Sequence, residues 1–207
     1  MNDLSELIPI PPKGNMNHGL SSAQEATMLK IFRRPGDLTA KCSDPSVGLK
    51  KLLVFGIKAG PLKVSGMKYA VQSLFQIFDQ VKSEQPEVYD QVKTAGMLCV
   101  RGRRANPGKY SNHSWGTAID VYFGKSVVSQ GVHQTQRGVY ILYPYFNNHG
   151  WYWGAEFSGD SVDTMHFELA EETILKIGTM KPMAKSVQKK AVKRKVKAEE
   201  SSGANRR

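Results

Sequence analysis

The amino-acid sequence predicts an α+β domain, in which helices and short strands share one core. The helical signal is clearest in residues 67–82, MKYAVQSLFQIFDQVK, where apolar side chains recur at helical spacing and so form one buried face. These side chains are Val71, Leu74, Phe75, Phe78 and Val81. The strand signal comes from GMLCVR, TAIDVYF and DTMHFELA, which are short and apolar, as buried strands are.

The other predicted elements are shorter helices. One is expected over residues 22–32, and Pro86 is suited to open another, since proline is tolerated in the first helical turn. Residues 139–148 predict a helix disturbed by Pro144. A last helix is expected over residues 171–177.

The 207 residues are enough for one domain with terminal extensions. Residues 1–35 are rich in Pro, Gly, Ser and Asn and predict a flexible arm. Residues 36–180 form the predicted domain. Residues 181–207 contain ten Lys and Arg against two Glu, with few large apolar residues, and predict a disordered basic tail.

The formal net charge of +11 is concentrated in that tail, which carries +8 and leaves +3 for residues 1–180. The tail is expected to be solvated, and the alternative is electrostatic attachment to anionic envelope polymers or lipids. A nucleic-acid binder is a third hypothesis, but the tail lacks aromatic residues for base stacking and indicates no sequence-specific recognition.

The two cysteines are too few for a disulfide framework and lack zinc-pair spacing. Cys99 is expected in the core, while Cys42 stays unassigned. The N-terminus, MNDLSELIPIPPKG, does not resemble a signal peptide, and no stretch resembles a membrane span. We therefore expect a monomer made in the cytoplasm, whose action outside the cell would depend on release at lysis or on transport in a virion.

A metal site is suggested by three side chains, His113, Asp120 and His166. In TAIDVYF, Asp120 projects opposite to Ile119 and Val121, so it leaves the core face of a rigid strand. Two histidines and a carboxylate can supply the three protein ligands of a hydrolytic zinc site, which keeps a fourth position open. The small residues before Asp120 would let a metal ion approach the strand.

These residues carry a family resemblance. The chain resembles the zinc metallopeptidases that include D-alanyl-D-alanine carboxypeptidases and phage L-alanyl-D-glutamate endopeptidases. The segment GWYWG, residues 150–154, is also similar to this family, and the resemblance covers residues 96–169 with a looser extension from residue 48. The matching pattern is Ser111, His113, Gly116, Ala118 and Asp120, followed by Asp163, His166, Phe167 and Glu168.

The resemblance implies a small antiparallel sheet, flanked by helices, that presents Zn²⁺ on His113, Asp120 and His166. It also implies that Asp163 is the catalytic carboxylate, with Asp160 and Glu156 as rivals. Arg101 would lie near the reacting carbonyl, although Arg103 and Arg104 are close enough to replace it, and Val100 stands where the family commonly has an aromatic residue.

Three further positions are candidates for contact with substrate, namely Ser111, Trp151 and Trp153, with core packing as the alternative for the tryptophans. Glu168 lies two residues beyond His166, on the same face of a strand, and is expected to orient that ligand.

The resulting hypothesis is a zinc-dependent peptidase of peptidoglycan, of the phage endolysin type. The cleaved bond would be L-alanyl-D-glutamate or D-alanyl-D-alanine, and the sequence does not choose between them. The alternative is a zinc-binding wall or adhesion module of the same fold without catalysis.

Overall fold

The structure is a computed structural model that describes residues 3–104 and 106–180. In chain order the strands are β1 (Leu7–Pro9), β2 (Leu53–Ala59), β3 (Leu62–Met67), β4 (Lys93–Gly96), β5 (Ala118–Tyr122), β6 (Gln134–Gln136), β7 (Trp151–Trp153) and β8 (His166–Leu169). The helices are α1 (Glu25–Phe32), α2 (Val47–Lys50), α3 (Lys68–Glu84), α4 (Pro86–Gln91), α5 (Arg137–Asn148) and α6 (Glu171–Thr179). The predicted α+β class with a small antiparallel sheet is confirmed.

The central sheet has four antiparallel strands in the order β4-β5-β8-β7. Its middle pair sets the position of the candidate site, because the register places Asp120 opposite His166 and Ala118 opposite Glu168. Directly opposite residues of an antiparallel pair project from the same face. The register of β5 and β8 therefore brings Asp120 and His166 together on one face.

The other face of this sheet belongs to the core. Ile119 and Val121 of β5 are fully buried, and Phe167 of β8 stacks against Phe146 of α5. Helix α3 packs against β2, β3 and α5. Its predicted buried face is present, although Phe75 is 38% exposed and does not belong to it.

Two local predictions differ from the structure. The segment GMLCVR does not form a strand, because β4 ends at Gly96 and the backbone groups that follow bond to His113 instead. The Met97 carbonyl bonds to the His113 ring, and the Cys99 amide donates to the His113 carbonyl. Helix α5 runs through Pro144 without a break.

Cys99 is half-buried and forms a disulfide with Cys42, with a Cα–Cα separation of 5.0 Å, so its expected place in the core is wrong. The bond joins positions 57 residues apart. Beside it, the Ser43 amide donates to the Val100 carbonyl, and the Gly102 amide donates to Thr39. These contacts fix residues 39–43 beside the segment that carries Arg101.

The N-terminal segment, expected as a flexible arm, packs on the domain. Strand β1 pairs with β6, and helix α1 buries Met28 and Phe32. Asn17 is 3% exposed and lies in the left-handed region with φ 51°. Its amide side chain donates to the Trp153 carbonyl at 2.9 Å and accepts from the Trp153 amide at 2.7 Å. Polar contacts of Asn17 thus add to the apolar contacts of α1 in holding this segment on the domain.

Within residues 3–104 and 106–180, no helix combines the length and the apolar character that a bilayer span requires. The predicted basic tail, residues 181–207, lies outside the described residues.

Candidate metal centre

Three elements bring the candidate ligands together. His113 lies in a short 3₁₀ helix, Asn112–Trp115, while Asp120 and His166 lie on β5 and β8. Gly116 ends that turn with φ 64°, and a Cβ at this position would lie 2.7 Å from the Cα of Gly66. Only glycine therefore fits here, and the tight turn carries His113 back over β5.

The three side chains converge on one point. His113 Nε2 is 3.2 Å from Asp120 Oδ1, and His166 Nδ1 is 3.1 Å from the same oxygen. The two ring nitrogens are 3.2 Å apart. Three nearly equal distances are not the pattern of a hydrogen-bonded chain, because one proton joins only two of the atoms. Three atoms at these separations can all serve as ligands of one ion.

Each histidine is held by its other ring nitrogen. His113 Nδ1 is 2.9 Å from the Met97 carbonyl, which can only accept, so Nδ1 carries the proton and Nε2 presents its lone pair to the centre. His166 Nε2 is 2.9 Å from the Glu168 carboxylate, which leaves Nδ1 for the centre. Such partners fix the tautomer and the ring orientation of metal-binding histidines.

Glu168 is 2% exposed, and its carboxylate accepts hydrogen bonds from four groups. Ser22 Oγ donates at 2.7 Å and the Ala23 amide at 3.0 Å, both to Oε1. Asn112 Nδ2 at 2.6 Å and His166 Nε2 at 2.9 Å donate to Oε2. Two of the four donors come from the N-terminal segment, which therefore helps to position His166.

The electrostatics of the cluster favour ionised carboxylates. Burial alone would raise the pKa of Asp120, but its contacts with His113 and His166 hold that pKa well below the usual range. Burial would likewise lower the pKa of His166, yet hydrogen bonds to Asp120 and Glu168 raise it to about 10. Burial opposes ionisation of Glu168 as well, and hydrogen bonds from His166, Ser22 and Asn112 lower its pKa.

The donor set fits zinc. Two imidazole nitrogens and one carboxylate oxygen are ligands of catalytic Zn²⁺, with bonds of about 2.0–2.2 Å. Neighbouring ligands of a tetrahedral ion with such bonds lie about 3.3–3.6 Å apart. The observed separations of 3.1–3.2 Å are within a few tenths of an ångström of that value.

A cleft of about 360 Å³ opens over the three ligand atoms. Asp163 lines it from the loop before β8, where its amide donates to the Gly154 carbonyl at 3.0 Å. Its Oδ1 is buried and has no hydrogen-bond partner among the described residues. Burial raises the pKa of Asp163, with attraction to His166 opposing and repulsion from Asp120 reinforcing the shift.

The two rivals of Asp163 are placed differently. Glu156 accepts hydrogen bonds from the Gly14 amide and from Asn17, so its oxygens are used in fixing the N-terminal segment. Neither Glu156 nor Asp160 lines the cleft.

All three candidate arginines line the cleft. Arg103 Nε donates to the Tyr110 carbonyl at 2.9 Å. Burial and the nearby Arg104 lower the pKa of Arg101, while attraction to Asp120 and Asp163 raises it. Arg101 is thus electrostatically coupled to both acidic side chains of the centre.

The predicted contacts with substrate divide into two groups. Ser111 lines the cleft, and its amide donates to the Arg101 carbonyl at 3.0 Å. Trp151 and Trp153 are 0% exposed and do not line the cleft, so their predicted contact with substrate is wrong. Their indole N–H groups are used inside the core, on Ser73 Oγ and the Thr164 carbonyl.

The sequence patterns did not indicate Ser22 and Asn112. Asn112 adjoins His113, and this adjacency was the only local feature of the sequence that could have linked Asn112 to the site. Ser22 is 146 residues from Glu168, and nothing in the local pattern of the N-terminal segment links the two.

In this α+β domain a sheet and a short 3₁₀ helix gather two histidines and a carboxylate. Beside them, in a cleft, lies an acid whose Oδ1 has no hydrogen-bond partner among the described residues, and this is the arrangement of a metal-dependent hydrolase.

A comparison with known protein families agrees with this class of enzyme. Residues 104–169 match the model of a family described as D-alanyl-D-alanine carboxypeptidase. The matched segment contains all three candidate ligands and Asp163, and it spans about a third of the chain. The resemblance noted in the sequence is confirmed over these residues, and the match supports a metallopeptidase. The chain has no significant match among curated proteins or solved structures.

Proposed function

We propose that the protein is a zinc-dependent peptidase that hydrolyses a peptide bond of peptidoglycan. One observation carries the proposal: the candidate ligand atoms of His113, Asp120 and His166 converge in the lining of a cleft that also contains a buried oxygen of Asp163, which has no hydrogen-bond partner among the described residues. The family match over the same residues supports peptidoglycan as the substrate class.

Zinc, when bound by these three side chains, would act as a Lewis acid on water and on the scissile carbonyl. Asp163 would accept the proton of the attacking water and pass it to the leaving amine, a role worth about 10²- to 10⁴-fold in rate. Its Oδ1 is suited to this role because no side chain or amide of the described residues occupies it.

Arg101 would stabilise the negative charge that develops on the carbonyl oxygen. Its position in the lining of the cleft and its electrostatic attraction to Asp120 and Asp163 support this role, since a guanidinium held in a partly buried cleft is a strong electrostatic stabiliser. Ser111 would contact the substrate from the same wall of the cleft.

The arginines also favour an anionic substrate. Within the described residues, none of Arg101, Arg103 and Arg104 pairs with a carboxylate. Stem peptides carry free carboxylates next to both candidate bonds, D-alanyl-D-alanine and L-alanyl-D-glutamate. We propose cleavage of one of these, in the manner of a wall-degrading enzyme of the endolysin type.

The disulfide bears on where the enzyme acts. Disulfides persist in oxidising surroundings and are rare in a reducing cytoplasm. The Cys42–Cys99 bond, next to the segment that carries Arg101, supports action outside the cytoplasm.

The test is digestion of purified peptidoglycan, followed by mass spectrometry of the muropeptides, whose new amino or carboxyl ends identify the bond. Asp163→Asn is expected to bind zinc like the wild type while the rate of hydrolysis falls about 10²- to 10⁴-fold. His166→Ala is expected to lose both zinc and activity.

The matched control is Asp160→Asn, which makes the same chemical change in the same loop but outside the cleft, and should keep full activity. Full activity of Asp163→Asn would contradict the proposed base. Zinc binding without hydrolysis by the wild type would favour the non-catalytic wall-binding module instead.

A further inference from the structure

The outer face of the β2–β3 hairpin has apolar side chains exposed beside lysines. The inner face of this hairpin packs on α3 through residues such as Leu53, Leu62 and Val64, which are 3–4% exposed. On the outer side Phe55 is 54% exposed, and Leu52, directly before β2, is 39% exposed. We call the outer side the hairpin patch, and it consists of Leu52, Phe55, Lys58 and Lys63.

The charge of this region has one sign. Between Asp44 and Asp79 the chain contains five lysines and no acidic residue. The register places Lys58 directly opposite Lys63, and both are exposed. Like charges in this position destabilise a strand pair. In the part of the chain that the structure describes, no carboxylate lies within ion-pair distance of either lysine.

Protection of the sheet edge explains only part of this pattern. Among the strands that the structure describes, β2 pairs with β3 alone. Lysines together with an irregular register are common means of preventing edge-to-edge association. The register shift between Val54 and Ile57, however, leaves Phe55 exposed, where edge protection would favour a polar residue. The exposed phenylalanine is complementary to an apolar partner, and the lysines are complementary to an anionic partner.

We propose that the hairpin patch docks on an anionic phospholipid bilayer. Such a surface supplies phosphate groups for Lys58 and Lys63 and an apolar boundary for Phe55 and Leu52. A soluble polyanion offers the charge but no hydrocarbon, so it leaves the exposed apolar side chains unexplained. This surface involves none of the residues of the metal centre, and its test is independent of the peptidase activity.

The test uses the full chain and vesicles of phosphatidylcholine with or without phosphatidylglycerol. Each lysine near an anionic surface contributes about 1 kcal/mol, so Lys58→Gln with Lys63→Gln should weaken co-sedimentation roughly 30-fold at low salt. The control is Lys30→Gln with Lys125→Gln, which removes the same charge from exposed positions outside the patch. An equal loss in this control would show that only net charge matters, and would overturn the proposal.

Insertion is tested at Phe55. Phe55→Ser should weaken binding about tenfold while circular dichroism shows an unchanged fold, because this side chain is already half exposed. The three native tryptophans are 0% exposed, so Phe55→Trp adds a distinguishable exposed indole. Its emission should shift to the blue with anionic vesicles and be quenched by brominated lipids. An indole at position 55 that stays open to acrylamide would overturn the proposal, and so would equal binding of a soluble polyphosphate.

Discussion

The substitution Glu168→Gln tests how the candidate metal centre is held in place. The carboxylate of Glu168 faces donors on both oxygens. A glutamine can accept on one end only, so its NH₂ group must face two of these donors. The better orientation keeps its oxygen on His166 and Asn112 and turns the NH₂ group toward Ser22 and the Ala23 amide.

The expected loss of zinc affinity follows from these contacts. His166 keeps an acceptor but loses a charged one, and hydrogen bonds to charged groups exceed neutral ones by about 1 kcal/mol or more. One factor of ten corresponds to about 1.4 kcal/mol, so the Kd for zinc should rise about tenfold. Glu168→Ala removes the acceptor altogether and should reach about 100-fold. The amide of Ala23 also loses its partner, which should lower the free energy of unfolding by about 1–3 kcal/mol.

The assay is competition for zinc against a chromophoric chelator, with urea unfolding of the metal-free protein measured separately. Glu172→Gln is the matched control, since that glutamate accepts from the Ser21 amide at 2.9 Å and contacts no candidate ligand. The control should bind zinc like the wild type. Unchanged zinc affinity in both Glu168 variants would refute the idea that this carboxylate orients His166.

Three further predictions concern the segments outside the matched residues. Ser22→Ala removes one of two donors to Glu168 Oε1 and should weaken zinc binding a fewfold, with recovery in Ser22→Thr; chelator competition checks this, and an equal loss in Ser22→Thr would contradict it. Asn17→Ala should lower the free energy of unfolding by about 3 kcal/mol, because the Trp153 amide and carbonyl lose their partners, and urea denaturation beside the exposed control Asn106→Ala tests it. Reduction of Cys42–Cys99 should cost about 4 kcal/mol of unfolding free energy, as expected for a closed loop of about 57 residues, and the double variant Cys42→Ser with Cys99→Ser should match the reduced protein. Equal stability of the oxidised and reduced forms would contradict this stabilisation, and two free thiols in the oxidised protein would exclude the bond.

The sequence patterns were informative where the site depends on local geometry. Alternation in β5 separates Asp120 from Ile119 and Val121, and antiparallel pairing with β8 then places His166 opposite Asp120. The spacing of two residues within β8 puts Glu168 on the same face as His166, and the structure brings the two side chains to 2.9 Å. These relations need only the period of a strand and one register.

The features that the sequence patterns did not indicate are fixed by contacts between residues that are far apart in the sequence. The N-terminal segment is held partly by polar contacts such as that of Asn17 with Trp153, 136 residues away, which no local pattern indicates. The partner of Cys99 is likewise fixed by tertiary structure. The tryptophans of β7 could belong to a cleft or to a core, and only packing on both faces of this strand, which buries all three residues, decided for the core.

We propose that His113, Asp120 and His166 hold one metal ion. X-ray diffraction from crystals soaked in zinc, collected on both sides of the zinc absorption edge, would locate that ion. We expect one anomalous peak about 2.0–2.2 Å from His113 Nε2, Asp120 Oδ1 and His166 Nδ1, with Glu168 still bonded to His166 Nε2. A peak elsewhere, or none at saturating zinc, would contradict the claim.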